Sequence, residues 1–171
     1  MGKLVIIEGT DGSGKQTQSQ LLNERLYNEG IKVKKISFPD YDSPSSSLVK
    51  MYLNGDFGKD AQSVNAYAAS SFYGVDRYAS FKTKWAKEYE NGYVIISDRY
   101  TTSNIVHQAS KIDDFEIQRE FKEYVSKNIS SLDIEKIDCV GQTLSRLSFS
   151  NSIFIPFKIS KRELGAITLD T

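Results

Sequence analysis

The chain has 171 residues, 39% of them apolar and 26% charged, enough to bury one core and too few for two ordinary domains, so a single domain over residues 1–171 is expected. Its 22 basic and 22 acidic residues balance, which excludes a general polyanion-coating surface of the kind that grips nucleic-acid polymers or anionic lipid, and any phosphate recognition has to be local. The one cysteine, Cys139, has neither a disulfide partner nor metal-ligand spacing, and no apolar run approaches the length of a signal core or membrane span, so a cytoplasmic protein without membrane attachment is expected.

Lys3 to Glu8 is a compact apolar run that stops at a glycine loop, the pattern of a buried parallel strand. From Lys15 onward Leu21, Leu22, Leu26 and Tyr27 fall at helical spacing, and Gly30 supplies the stop. Ile31 to Phe38 alternates apolar and polar residues as a second strand does, and Pro39 closes it. After the polar run Asp42 to Ser47, a proline-free region from about Ser63 to Glu90, rich in Ala, Tyr and Lys, predicts a long helix. Tyr93 to Ser97 repeats the buried-strand pattern, with Asp98-Arg99-Tyr100 just past its end. Strands that alternate with long helices imply an α/β fold, three layers α/β/α around a parallel sheet. Beyond about Ser126 the period is lost, although Ser152 to Ile159 reads as a strand broken by Pro156.

Gly9-x-x-x-x-Gly14-Lys15 has Walker A spacing: the glycines let backbone N–H groups turn inward around a phosphate, the helix start adds its positive dipole end, and lysine brings a mobile charge. An ordinary glycine-rich turn is the plain alternative, and the strand before and helix after argue against it. The loop as a whole, Gly9, Thr10, Asp11, Gly12, Ser13, Gly14, Lys15, Gln16 and Thr17, is the candidate ATP site. Gln16 stands where a metal-ligating hydroxyl is usual, and Thr17 is turned about 100° around the helix from that direction. Mg²⁺ is therefore expected to be held through water and substrate oxygens, with Asp98 as the carboxylate. Asp98 and Arg99 sit where open α/β sheets bind ligands, outside the strand ends, although a surface ion pair has the same signature. Asp76 and Arg77 read either as site residues or as a solvated helix face, and Phe72 and Tyr73 either as core or as pocket. His107, the only histidine, is assigned packing or surface and no catalysis.

Taken together, Ile6–Gln18 (IIEGTDGSGKQTQ), Phe38-Pro39, Phe72–Arg77 (FYGVDR) and Val94–Asn104 (VIISDRYTTSN) resemble thymidylate kinase in order and separation. The resemblance implies a P-loop hydrolase/kinase-type fold with a five-stranded parallel sheet, and a homodimer. It also implies ATP-dependent nucleoside monophosphate kinase activity, phosphoryl transfer from ATP to dTMP giving dTDP and ADP in dTTP biosynthesis, with Mg²⁺. By matching position it implies that Lys15, Asp98, Arg99 and Arg77 serve the transfer. It places Asp11 against the deoxyribose, Arg77 and Arg99 on the acceptor phosphate, and Tyr73 along the thymine. Ser103 and Asn104 fall at the base edge, Phe38 and Pro39 in the dTMP pocket, and Asp98 on the metal. The chemistry is coherent, because an acceptor that is already a phosphate dianion needs no general base; it needs cations that suppress repulsion and align two polyanions.

The chain departs from the family pattern at several points. Gln16-Thr17 is similar to the adenylate kinase type of loop, Gly12 stands where some members carry an arginine, and Tyr41 replaces the arginine of an FPxR motif. The resemblance also implies an arginine-rich lid, but the region 126–171 diverges, and neither Arg146 nor Arg162 sits in a lid-like context. Moving the codon boundaries from Asp138 onward by two bases permits a Leu-Arg-Arg-Pro-Asp reading, so a displaced reading frame is one origin open for this tail. Two readings compete with a thymidylate kinase: a catalytically impaired nucleotide-binding remnant, and a kinase for another nucleoside monophosphate. A GTPase reading of Glu135–Asp138 (EKID) fails, since no DxxG precedes it and Glu removes the amide that guanine requires.

Overall fold

The computed structural model describes residues 2–129. Three strands, β1 (Lys3–Ile7), β2 (Val33–Ser37) and β3 (Val94–Asp98), form a parallel sheet in the order β1-β3-β2. Every residue of the central strand β3 is buried, which is why it opens on the apolar run Val94-Ile95-Ile96. Ile7 and Ser37 both lie opposite Asp98, so the three strands end level and Asp98 stands at the carboxyl edge between its neighbours.

Strand alternation divides the core into two layers. Val5, Ile7, Val94 and Ile96 face α1 (Lys15–Asn28) and pack on Leu22 and Leu26. Leu4 and Ile95 face the other way, onto Phe38, Trp85, Tyr89 and Tyr100. The helical spacing read along α1 is half right. Leu22 and Leu26, one turn apart, are buried, whereas Leu21 and Tyr27 are rotated off that face and are 52% and 73% exposed.

The second layer is built by the long helical region, which starts at Ala66 rather than Ser63 because the Asn65 side chain accepts the Ala68 N–H at 2.8 Å and caps it. It runs as α3 (Ala66–Ser80), a π-helical turn (Phe81–Trp85) and α4 (Ala86–Glu90), and the π turn seats Trp85 fully in the core. The polar run Asp42–Ser47 is more ordered than its composition suggests. Ser43 caps a 3₁₀ turn (Pro44–Ser46) that leads into α2 (Ser47–Asn54). After β3 come α5 (Thr101–Ala109) and α6 (Phe115–Tyr124), followed by a second π turn (Val125–Ile129), none of which the sequence pattern had assigned. The expected remaining strands, the Ser152–Ile159 segment, Cys139, Glu135–Asp138 and the lid arginines lie outside the described residues.

Candidate phosphoryl-transfer site

The neighbouring strands β1 and β3 send their chains to opposite sides of the sheet, with α1 leaving β1 on one face and α5 leaving β3 toward α3 on the other. That divergence opens a crevice at the strand ends, where α/β sheets take ligands. The cleft there has a volume of about 430 Å³. It is lined by Asp11, Gly12, Gly14, Lys15, Gln16 and Thr17 from the loop, together with Asp98 and Arg99 from β3.

Two glycines shape the loop. A Cβ on Gly9 would stand 2.5 Å from Ser13 Oγ, and Gly14 caps α1 with a left-handed φ of 83°. The helix ladder opens with Gln18 N–H donating to Gly14 O at 2.9 Å, so the amides of the first turn have no partner within the helix. No acidic side chain lies in that turn. The result is a helix start whose dipole and donors face the cleft without a competing anion on the helix itself. Lys15 Nζ folds back to donate to Thr10 O at 3.1 Å and pairs with Asp11 at 3.4 Å.

Arg99 is the one non-glycine residue with positive φ, 66°, among the described residues. That conformation costs roughly 1–2 kcal/mol and is over-determined here. Its N–H donates to Ile7 O at 3.0 Å, and Ser97 Oγ donates to its carbonyl at 2.5 Å. The turn throws the side chain back across the loop, where Nη2 pairs with Asp11 and Nη1 donates to Ser103 Oγ at 3.2 Å. Asp11 thus bridges Arg99 and Lys15. The Arg99 guanidinium, with Lys15 adding to it, holds the Asp11 carboxyl below the usual carboxylate range.

Asp98 lines the cleft, is 6% exposed and leaves Oδ1 buried without a hydrogen-bond partner. A hard cation satisfies such an oxygen. Among the described residues no three His, Cys, Asp or Glu side chains cluster, so a metal here would draw its other ligands from water and phosphate oxygens.

The remaining predicted residues fall around this cleft at different depths. Arg77 is buried off the cleft, 5.7 Å from the Tyr100 ring centroid, with Nη2 donating to Ile129 O at 3.4 Å. Asp76 is also buried, so the pair is no solvated helix face; its carboxylate accepts the Asp40 N–H at 2.8 Å and the Ser45 hydroxyl at 2.7 Å, tying the loop after β2 to α3. Phe38 belongs to the core and packs on Tyr100 at 5.7 Å, with a cis peptide to Pro39, which is partly buried. Tyr73 is half-buried and meets Tyr52 edge-on at 6.5 Å, beside Phe72 and Phe57. Burial pushes the Tyr73 phenol above its ordinary value, and Tyr52 and Tyr41 add to the shift. Asn104 is buried on α5 with both amide atoms unpartnered. His107, one turn from the end of α5, is exposed.

Three further residues were given no role by the sequence. Glu8 contacts the start of α5, Gln108 leaves a buried amide oxygen unpartnered one turn after Asn104, and Ser70 on the facing α3 leaves its hydroxyl unpartnered. Glu8 could have been flagged as an acid closing a buried strand; the other two have no sequence signal.

A helix start prepared for an anion, opposed by a carboxylate and an arginine from the adjacent parallel strand, is how P-loop proteins handle nucleoside polyphosphates, and the sheet places this chain in that class. Within the class the match is particular. A family model for thymidylate kinase covers residues 7–128, and the chain belongs to that family. It is 30% identical over 115 residues to the thymidylate kinase of Schizosaccharomyces pombe, covering 67% of this chain and 52% of that one. Against the thymidylate kinase of Brachyspira hyodysenteriae it is 32% identical over 125 residues, 72% of this chain and 58% of the relative. The solved thymidylate kinase of Candida albicans superposes with a TM-score of 0.56 at 30% identity, over 73% of this chain and 55% of that one. The chain spans about half the length of the curated relatives it matches.

Proposed function

We propose that this chain transfers the γ-phosphoryl of ATP to dTMP, yielding ADP and dTDP. The observation that carries the reading is the register of β1 against β3. Setting Ile7 opposite Asp98 brings Asp98 and Arg99 into the same cleft as the phosphate loop. Loop amides and Lys15 grip the donor's β- and γ-phosphates, while Arg99, with Arg77 behind the Tyr100 ring, supplies positive charge for the acceptor phosphate. Asp11 pairs with both Lys15 and Arg99, and phosphates on either side would compete for those cations and turn it toward the deoxyribose. Tyr73 lies along the thymine, and the buried, unpartnered amide atoms of Asn104 meet the base edge. Mg²⁺, when bound, neutralises charge on the transferring phosphates, and Asp98 is the residue that would hold it.

The family implies a homodimer, and we extend that and a cytosolic setting to this chain. Among the described residues no helix is long and apolar enough to cross a membrane.

Coupled ADP release from ATP and Mg²⁺ against a panel of nucleoside monophosphates tests the reading. Turnover that depends on dTMP is expected, and preference for another monophosphate reassigns the base. Absence of turnover with ATP or dTMP binding retained in calorimetry replaces the kinase with a nucleotide-binding module.

A further inference from the structure

Glu8 follows β1 and directly precedes the glycine loop, yet its carboxylate is committed to the other strand's helix. Oε1 accepts the backbone N–H of Tyr100 at 3.0 Å and that of Ser103 at 3.1 Å, and Oε2 accepts the Ser103 hydroxyl. The start of α5 has no cap of its own, since Tyr100 at the cap position makes no side-chain bond to the helix. Glu8 supplies that cap from across the sheet, satisfying two orphan amides at the positive end of the helix.

The contact reaches further. A serine hydroxyl has one hydrogen, and here it goes to Glu8, so toward Arg99 the Ser103 oxygen presents only lone pairs. Arg99 Nη1 uses them, donating at 3.2 Å. Arg99 is also the residue whose backbone is held in the left-handed region, and its restraints come in sequence: Ile7 O on its own N–H, Ser97 Oγ on its carbonyl, Glu8 on the next N–H. A conformation this costly persists only when its surroundings fix it.

We propose that Glu8 is a positioning residue for the acceptor-phosphate arginine: by capping α5 and orienting the Ser103 hydroxyl, it holds Arg99 aimed into the cleft. This rests on the reading above that Arg99 meets the acceptor phosphate. Glu8 itself touches no substrate.

The test uses the full chain with Glu8→Ala, Glu8→Gln and Ser103→Ala. ATP, dTMP and thymidine affinities are measured by calorimetry, and the Arg99 side-chain resonance by NMR. Glu8→Ala should weaken dTMP about tenfold or more and move the Arg99 resonance, while thymidine and ATP change less than twofold. Glu8→Gln keeps an acceptor for the two amides but offers Ser103 a donor, so its dTMP loss should be intermediate. Ser103→Ala should shift the Arg99 resonance in the same direction. Thymidine separates aim from fold, because a merely structural cap would disturb Asn104 on the same helix and weaken thymidine as much as dTMP. That parallel loss, or an unchanged dTMP affinity in Glu8→Ala, would overturn the proposal. A wild-type chain that binds ATP but no dTMP sinks the thymidylate reading instead, and Glu8 is then judged on the Arg99 resonance: movement in Glu8→Ala supports the hold, and no movement ends it.

Discussion

Gly9 is required by a neighbour rather than by its own backbone. Its missing Cβ leaves room for Ser13 Oγ, 2.5 Å from where that Cβ would stand, while Ser13 Cβ is at a tolerable 3.4 Å. Gly9→Ala should therefore force the Ser13 hydroxyl out of its rotamer, at a cost of about 0.5–1.5 kcal/mol, read mainly as weaker ATP binding. Gly9→Ala/Ser13→Ala, which removes the obstructing oxygen, should recover most of that affinity in a double-mutant cycle; additive losses would show that the loop resists alanine for another reason. Tyr73 makes a different kind of prediction. Its phenol pKa is raised by burial, so the folded state keeps a proton that the unfolded chain releases near pH 10. Up to pH 10 both states are protonated and stability is unaffected. Above it the unfolded state binds fewer protons, so stability falls as pH rises toward the folded-state value. Tyr73→Phe should flatten that decline, by at most about 1.4 kcal/mol per pH unit, in denaturant titrations above pH 10. An identical slope in both proteins would place the phenol in water.

The elements around the cleft are joined by a few polar ties, of which Asp76 is the deepest. It accepts from Asp40 and Ser45, pinning the segment between β2 and α2 onto α3, and Asp40 in turn pairs with Lys84 at 2.7 Å. Asp76→Ala strands the Asp40 amide and should cost about 2–3 kcal/mol in chemical denaturation, with faster hydrogen exchange at Asp40 and little change at Ile96. Global loosening at both amides would mean that the tie belongs to the whole core. Asp76 also shows where sequence reasoning stops. Within a helix, 76 and 77 follow the same pattern as any exposed charged pair, and only the tertiary position of the loop after β2 makes them buried. Strands β1 and β3 and the glycine loop were legible because extensive burial and φ above zero each leave a compositional mark, and β2 because its apolar and polar residues alternate. The end of α3 was not, because a π turn such as Phe81–Trp85 is set by where Trp85 must go rather than by local propensity. Helices α2, α5 and α6 were missed for a related reason: they are short, and α5 is capped by Glu8 from another element. The loop, Asp98 and Arg99 could be placed together from sequence since all lie at strand ends. The convergence of Glu8, Ser103 and Arg99 needed the sheet register.

At the scale of the molecule, α3 has two unlike faces. Ala69, Ser70, Asp76 and Arg77 are buried against the rest of the fold, whereas Val75 is 49% and Tyr78 44% exposed on the other side, with Tyr67 further along the same helix partly covered by Phe121 and Tyr124. Apolar residues repeated at helical spacing on a surface helix are what a second copy of the chain can bury, and the homodimer proposed above makes that copy the occupant. If the proposed homodimer forms here, sedimentation should give twice the monomer mass, and the melting temperature should climb with protein concentration, as mass action requires. Val75→Glu places a charge at the centre of that face, where leaving it unpaired on association is costly. It should yield a monomer whose melting temperature no longer depends on concentration. The cleft lies at the strand ends and is lined by no residue of α3, so ATP affinity should stay within about twofold, since changes at separated sites are independent. A wild-type monomer at all concentrations, or a Val75→Glu protein that remains dimeric, would remove α3 as the contact.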